Sequence, residues 1–324
     1  MIDLAFRALG RSDLQVSTIG LGCNNFGRPG TATESQEGTT AVLDEAIELG
    51  VTLLDTADIY GGSEPGLSET LMGEALKGRR DRVVLATKFG HSGFDMNIAP
   101  GVPKGSAEYI AIAIDDSLRR LQVDHVDLYQ LHTPDEQTPI AETIEALDAL
   151  VATGKIRYYG HSNLDGAQIA EAEDAADRIG GGRFVSAQNE YSLIERGAER
   201  DVLPAVREAG LGFLPYFPLA NGLFSGKFSR NDRPADSRIM RIRPHIAENA
   251  DWDAIEALEA FAAERGISML DATFGWLLAE PSLSSVIAGA TRPEQLRQNA
   301  AASTAWTPSP EERTEISAMF PLGD

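Results

Sequence analysis

The stretch Val51-Thr52-Leu53-Leu54-Asp55-Thr56-Ala57-Asp58-Ile59-Tyr60-Gly61 decides how the chain is read. An apolar run ends in an acid, and a tyrosine follows five positions later in a loop with Gly61, Gly62 and Gly66. Such a run, bounded by turn residues, reads as a buried parallel strand with polar groups at its C-terminal end. In a barrel of strands and helices, chemistry sits at that end. Taken alone, Asp55 is explained as well by a helix cap or a buried ion pair as by a role in chemistry. Two later strands that also end in a reactive side chain tip the balance.

Upstream, residues 4–9 and 14–18 flank the turn cluster Gly10-Arg11-Ser12-Asp13 and predict a short β-hairpin capping the bottom of the barrel. Ser17 to Gly22 predicts a short strand. Val42, Leu43, Ala46, Ile47 and Leu49 fall at helical spacing and predict a helix over 36–49, closed by Gly50. Downstream, strand 51–54 leads to helix 67–77, strand 82–87 to helix 107–121, and strand 126–131 to helix 139–152. Strand 156–160 leads to helix 165–178, and strand 184–188 to helix 200–209. Strand 211–215 precedes an irregular stretch, 217–250, with Pro218, Pro234, Pro244 and several arginines. Helices near 251–265 and 269–279, strand 284–288, helix 293–302 and a last helix over 309–318 complete the pattern. Eight strand–helix units with two long insertions, 89–106 and 217–250, predict an α/β fold, a closed (β/α)8 TIM barrel. No linker or low-complexity tract divides residues 1–324, so one domain is expected.

The 43% hydrophobic and 24% charged content suits a soluble globular enzyme. A net charge of −21 argues against a nucleic-acid surface, although helix N-termini still bind small anions. Cys23 is the only cysteine, which excludes an intramolecular disulfide and a cysteine-based metal site. No metal site is expected. The first residues lack a basic, apolar export signal, and no apolar run reaches the length of a membrane span. A cytoplasmic protein without a membrane partner is expected; the oligomeric state stays open.

Strand ends supply four polar groups: Asp55 with Tyr60 in its loop, Lys88 after the third strand, and His132 after the fourth. Consecutive strands place them along one arc of the barrel mouth. A phenol is a poor acid at neutral pH unless a nearby positive charge stabilises its anion. Lys88 can supply that charge, Asp55 can hold Lys88, and His132 can donate a hydrogen bond to a substrate carbonyl. The set suits proton delivery to an oxygen on which charge develops, as carbonyl reduction by hydride transfer requires. A Schiff-base lysine at position 88 is the competing chemistry.

The segments Leu-Asp-Thr-Ala-Asp-Ile-Tyr-Gly (54–61), Ala-Thr-Lys-Phe-Gly (86–90), Leu-Tyr-Gln-Leu-His (128–132), Gly-His-Ser-Asn (160–163) and Ala-Gly-Ala-Thr-Arg-Pro-Glu-Gln-Leu (288–296) resemble the aldo-keto reductase superfamily in order and spacing. The resemblance runs from Phe6 to about Ala302. It implies a (β/α)8 barrel that binds NADPH, or less often NADH, without a Rossmann domain, and reduces small aldehydes or ketones. It places a catalytic tetrad on Asp55, Tyr60, Lys88 and His132, with Tyr60 the general acid. It places Ser162, Asn163 and Gln188 at the nicotinamide carboxamide, Tyr216 against the ring, and Gly22, Cys23 and Asp55 close by. It gives Phe217, Pro218, Leu219, Gly222 and Lys227 to the pyrophosphate loop. Gly289, Thr291, Arg292, Gln295, Gln298 and Asn299 fall where the adenosine phosphate and adenine are held.

The chain departs from the pattern at three places. Phe217 replaces a small hydroxyl residue, and Gly289 and Gln295 replace basic residues that face the 2′-phosphate in NADPH-selective branches. Arg292 remains as its partner, which favours NADPH over NADH. The short tail after Asn299 implies an open site. Asn25, Phe89 and His132 are the expected substrate contacts, with Phe26, His91 and Phe94 as further loop candidates; His161 is either structural or turned to the mouth. Some members of the superfamily serve as channel-associated redox sensors, so a nicotinamide-binding regulatory subunit is the alternative to a reductase.

Overall fold

A computed structural model describes residues 2–96, 98–235 and 237–322. Eight parallel strands run in the order β10-β3-β4-β5-β6-β7-β8-β9. They are β3 (Ile19–Gly22), β4 (Leu53–Asp55), β5 (Val84–Phe89), β6 (Val126–Leu131), β7 (Ile156–Ser162), β8 (Ser186–Gln188), β9 (Gly212–Phe213) and β10 (Val286–Gly289). Bridges Phe213–Leu283 and Tyr216–Ile287 join the two ends of the sheet, and Ile287 N donates to Pro215 O at 3.0 Å. The strands and alternating helices form a (β/α)8 barrel, as the eight-unit pattern predicts.

Side chains alternate between the barrel interior and the helix layer, because successive Cβ atoms point to opposite faces. Leu53, Ala86, Leu128, Val185, Leu214 and Ile287 form the interior layer, and Leu9 and Val16 plug it from below. Those two belong to the antiparallel hairpin of β1 (Phe6–Ala8) and β2 (Gln15–Ser17). Gly10 lets the hairpin turn press against the barrel: a Cβ there would sit 2.4 Å from Val185 O. The expected bottom cap is present. Outward-facing residues such as Leu54, Leu85, Tyr129 and Ala187 join the larger core under the helices.

The ring of helices begins with α1 (Gln36–Leu49), α2 (Leu67–Ala75), α3 (Ala107–Leu121), α4 (Ile140–Ala152), α5 (Gly166–Ile179) and α6 (Val202–Ala209). Helix α1 ends as expected at Gly50, whose φ of 78° lets its N–H cap the Ala46 and Ile47 carbonyls. The stretch 217–250 is more ordered than its sequence implies. It contains a 3-10 turn over Ala220–Ser225 and two one-turn helices, α7 (Arg238–Ile242) and α8 (Pro244–Glu248). Helices α9 (Trp252–Glu264), α10 (Met269–Leu278), α11 (Pro293–Ala305) and α12 (Pro310–Met319) follow. No helix among the described residues is long and apolar enough to cross a membrane.

Two strand boundaries shift by about two residues, with consequences for the site. Residues 80–82 form a 3-10 turn, so β5 starts at Val84 and Lys88 lies inside the strand rather than after it. β4 likewise starts at Leu53 and includes Asp55 as its last residue.

Candidate active site

Alternation and register bring the polar groups together. Asp55 lies inward at the top of β4, Lys88 inward on β5, and Gln130 pairs with Lys88 across the β5–β6 ladder. On the far side, Ser162 pairs with Gln188 across β7–β8. The Asp55 carboxylate is the hub. It accepts from Lys88 Nζ at 2.6 Å, Gln188 Nε2 at 2.9 Å and Gln130 Nε2 at 3.0 Å. Lys88 Nζ also donates to Thr56 O at 2.9 Å. A buried ion pair is tolerated only when its remaining lone pairs and protons are met, and these donors meet them.

The Tyr60 ring centre lies 5.1 Å from Lys88 Nζ, and the His132 ring meets it edge-on at 5.9 Å. Burial pushes the Tyr60 phenol above its ordinary value, while the Lys88 charge pulls the other way, so it is protonated at neutral pH. Burial alone would lower Lys88, but the charges of Asp55 and Tyr60 outweigh it and raise the amine overall. Burial, then the Lys88 and His91 charges, hold His132 well below the usual histidine value, so its imidazole is neutral. A protonated phenol over a buried ammonium, beside a neutral imidazole, can give a proton to an oxygen that gains negative charge. The ammonium lowers the cost of the phenolate left behind.

Lys88 is fully buried and hydrogen-bonded to Asp55, and Asp55, Tyr60 and His132 line the floor of a cleft of about 770 Å³ at the C-terminal end of the barrel. Every expected cofactor residue lines it: Gly22, Cys23, Asp55, Ser162, Asn163, Gln188, Tyr216, Phe217, Pro218, Leu219, Gly222, Lys227, Gly289, Thr291, Arg292, Gln295, Gln298 and Asn299. Tyr216 OH donates to Asn163 Oδ1 at 2.9 Å, and Asn163 Nδ2 donates to His132 O at 2.9 Å. The turn that aims Asn163 inward has a φ of 64°. Phe217 also has a positive φ, 51°, rare for a bulky side chain, and its ring meets Tyr216 edge-on. Asn25, His91 and Phe94 line the cleft too, whereas Phe26 is fully buried in the core and does not reach it.

Phe89 does not. It follows inward-facing Lys88, so alternation turns it outward, where it is fully buried and stacks on Tyr129 at 4.6 Å. It is core, not a substrate contact. His161 faces outward by the same rule and packs edge-on against Phe184 at 5.2 Å. Cys23 is buried, and that burial raises its thiol well above the ordinary value. The sequence reading missed Gln130 and the cleft-lining arginines Arg28, Arg238, Arg241 and Arg243. The signal for the last three was Arg-Ile-Met-Arg-Ile-Arg, a basic run in a chain of net charge −21.

The Aldo/keto reductase family's sequence model matches residues 18–319. An uncharacterized oxidoreductase of Bacillus subtilis, YrpG, is 38% identical over 91% of this chain and 89% of its own length. L-glyceraldehyde 3-phosphate reductase of Escherichia coli K12 is 32% identical over 99% of this chain and 94% of its own. A probable voltage-gated potassium channel subunit beta of Oryza sativa is 33% identical over 91% and 90%. Barrel, cleft and sequence agree: the chain belongs to the aldo/keto reductase family of oxidoreductases.

Proposed function

We propose that the protein reduces aldehydes or ketones with NADPH, Tyr60 acting as the general acid. The observation that carries this reading is the protonated Tyr60 phenol beside the Asp55–Lys88 pair at the floor of the cleft. The donor set suits the cofactor: amides of Asn163 and Gln188 at the Tyr60 end, Lys227 and Arg292 for phosphates, and Gln298 and Asn299 for adenine. Arg292 favours NADPH, because a guanidinium binds a phosphate through paired hydrogen bonds. When bound, the cofactor supplies the hydride. Neutral His132 orients the carbonyl oxygen by donating a hydrogen bond, and Tyr60 delivers its proton to that oxygen. Lys88, fixed by Asp55, then stabilises the phenolate.

Tyr60→Phe removes the acid and leaves the ring. Aldehyde-dependent NADPH oxidation is expected to fall by about 10²-fold or more, with the cofactor Kd within about twofold of wild type. A mutant as active as wild type refutes the role of Tyr60. A second reading, a nicotinamide-binding regulatory subunit, draws on the similarity to the potassium channel subunit. It predicts tight NADPH binding with almost no turnover in the wild type. Schiff-base chemistry at Lys88 is disfavoured because Asp55 keeps the amine charged, and a nucleophilic amine must be neutral.

A further inference from the structure

The loop that follows β5 brings a second imidazole into the cleft. His91 comes shortly after Lys88 and lines the cleft together with His132 and Phe94. Its ring meets the His132 ring edge-on, at 84° between planes and 4.7 Å between centres, and also meets Phe94 edge-on at 5.1 Å. Tyr60, His132, His91 and Phe94 therefore form one chain of ring contacts, which starts at the proton donor and ends on an exposed phenylalanine. The loop is pinned where it holds His91. Lys104 Nζ donates to both His91 O and Phe94 O. Ser92 N donates to Thr133 Oγ1 at 2.9 Å, and Thr133 Oγ1 donates to Gly90 O at 3.1 Å.

The same loop fixes which nitrogen of His91 carries the proton. Gly93 N donates to His91 Nδ1 at 3.0 Å. A ring nitrogen that accepts a hydrogen bond bears no proton, so the neutral imidazole carries it on Nε2. Burial first, then the charge of Lys104, lowers His91 below the ordinary histidine value, which keeps the ring neutral at neutral pH. Its Nε2–H has no acceptor among the described residues, so the cleft holds a fixed donor without a partner. The reacting carbonyl oxygen offers two lone pairs, and the proposed mechanism gives them to His132 and Tyr60. A third donor has to find another oxygen. His91 touches His132 and joins Tyr60 only through it, so that oxygen lies on the His132 side of the carbonyl. With the two imidazoles in contact, an oxygen on the adjoining carbon comes within hydrogen-bond reach of His91 while His132 holds the carbonyl.

We propose that His91 is a specificity residue: its Nε2–H binds a hydroxyl or oxo oxygen on the carbon next to the reacting carbonyl, so that 2-hydroxy and 2-oxo aldehydes are preferred over plain ones. The inference rests on the reductase reading and names what that same site selects. The kinetic test is the ratio of kcat/KM for lactaldehyde to that for propanal, both with NADPH, because the two substrates differ by one hydroxyl. His91→Phe keeps an aromatic ring and removes the donor, and it is expected to cut the ratio by about fivefold or more. His91→Gln, whose side-chain amide can still donate, should keep part of the wild-type ratio. A merely structural role for His91 would lower kcat/KM for both aldehydes together; a ratio unchanged in His91→Phe overturns the proposal. A second readout needs no turnover. The ring nitrogens of His91 are followed by NMR in the NADPH-loaded protein during titration with propane-1,2-diol, and with propan-1-ol as control. A proton on Nε2 and a shift of that nitrogen with the diol alone support the site. A proton on Nδ1, or the same response to both alcohols, overturns it. Turnover of neither aldehyde sinks the reductase reading, and the titration then decides the His91 site by itself. Turnover with an unchanged ratio sinks the site and leaves the reductase standing.

Discussion

Asp58 lies two residues before Tyr60 and is fully buried, and no hydrogen bond of normal geometry reaches either carboxyl oxygen. Burial, then the charge of Glu69, raises it from 3.8 to about 8, so it is mostly protonated at neutral pH. An acid whose folded value is raised binds more protons in the folded state. Its contribution to stability is therefore present below about pH 4 and lost as pH rises towards 8, at about 1.4 kcal/mol per pH unit. His161 has the opposite sign: burial lowers it to about 3, so stability is lost as pH falls below 6.5. The Asp58→Asn protein keeps His161, so the difference between variant and wild type isolates Asp58. Urea unfolding should show Asp58→Asn gaining roughly 2–3 kcal/mol more at about pH 7.5 than at about pH 5.5. A difference independent of pH would mean that Asp58 is charged in the fold.

Helix α2 starts a few residues after Tyr60, so its seating fixes that loop. It packs on the end of α3 through Gly73, where a Cβ would sit 2.5 Å from Arg120 O and 2.6 Å from Leu121 O. The Arg120–Glu69 ion pair at 2.7 Å ties the same two helices. Helix propensity favours alanine over glycine by about 1 kcal/mol. The overlap is with backbone, which cannot swing aside, and overpacking costs about 1–3 kcal/mol or more. Packing wins in this balance, and Gly73→Ala should lower Tm by a few degrees in a thermal melt, about 2–4 °C per kcal/mol. A raised Tm would show that the helices can separate freely.

Across the whole molecule, the −21 charge and the basic cleft set up a field that draws small anions to the mouth while the outer surface repels them. The proposed cofactor binds only the folded chain, so it should stabilise it by about 2.7 kcal/mol at a hundredfold excess over Kd. A thermal melt should therefore shift further with NADPH than with the same concentration of NADH, and Arg292→Ala should remove most of the difference. Equal shifts in the wild type would refute the preference assigned to Arg292.

The sequence by itself determined the barrel, the order of its elements and the four side chains at or beneath the floor of the cleft. Those rest on local signals: apolar runs, a closing glycine such as Gly50, and reactive residues at run ends. Tertiary structure decided which way each side chain points and which loops meet. Lys88 and Phe89 are neighbours of similar size, and only the position of β5 in the sheet sends one to the Asp55 carboxylate and the other into the core against Tyr129. Gln130 gains its partner from the strand ladder. Arg28 and Arg238 are separated by most of the chain and come together only when the stretch after Ser225 crosses the mouth. Periodicity reports a residue's own element; it carries no information about contacts that close a loop of two hundred residues.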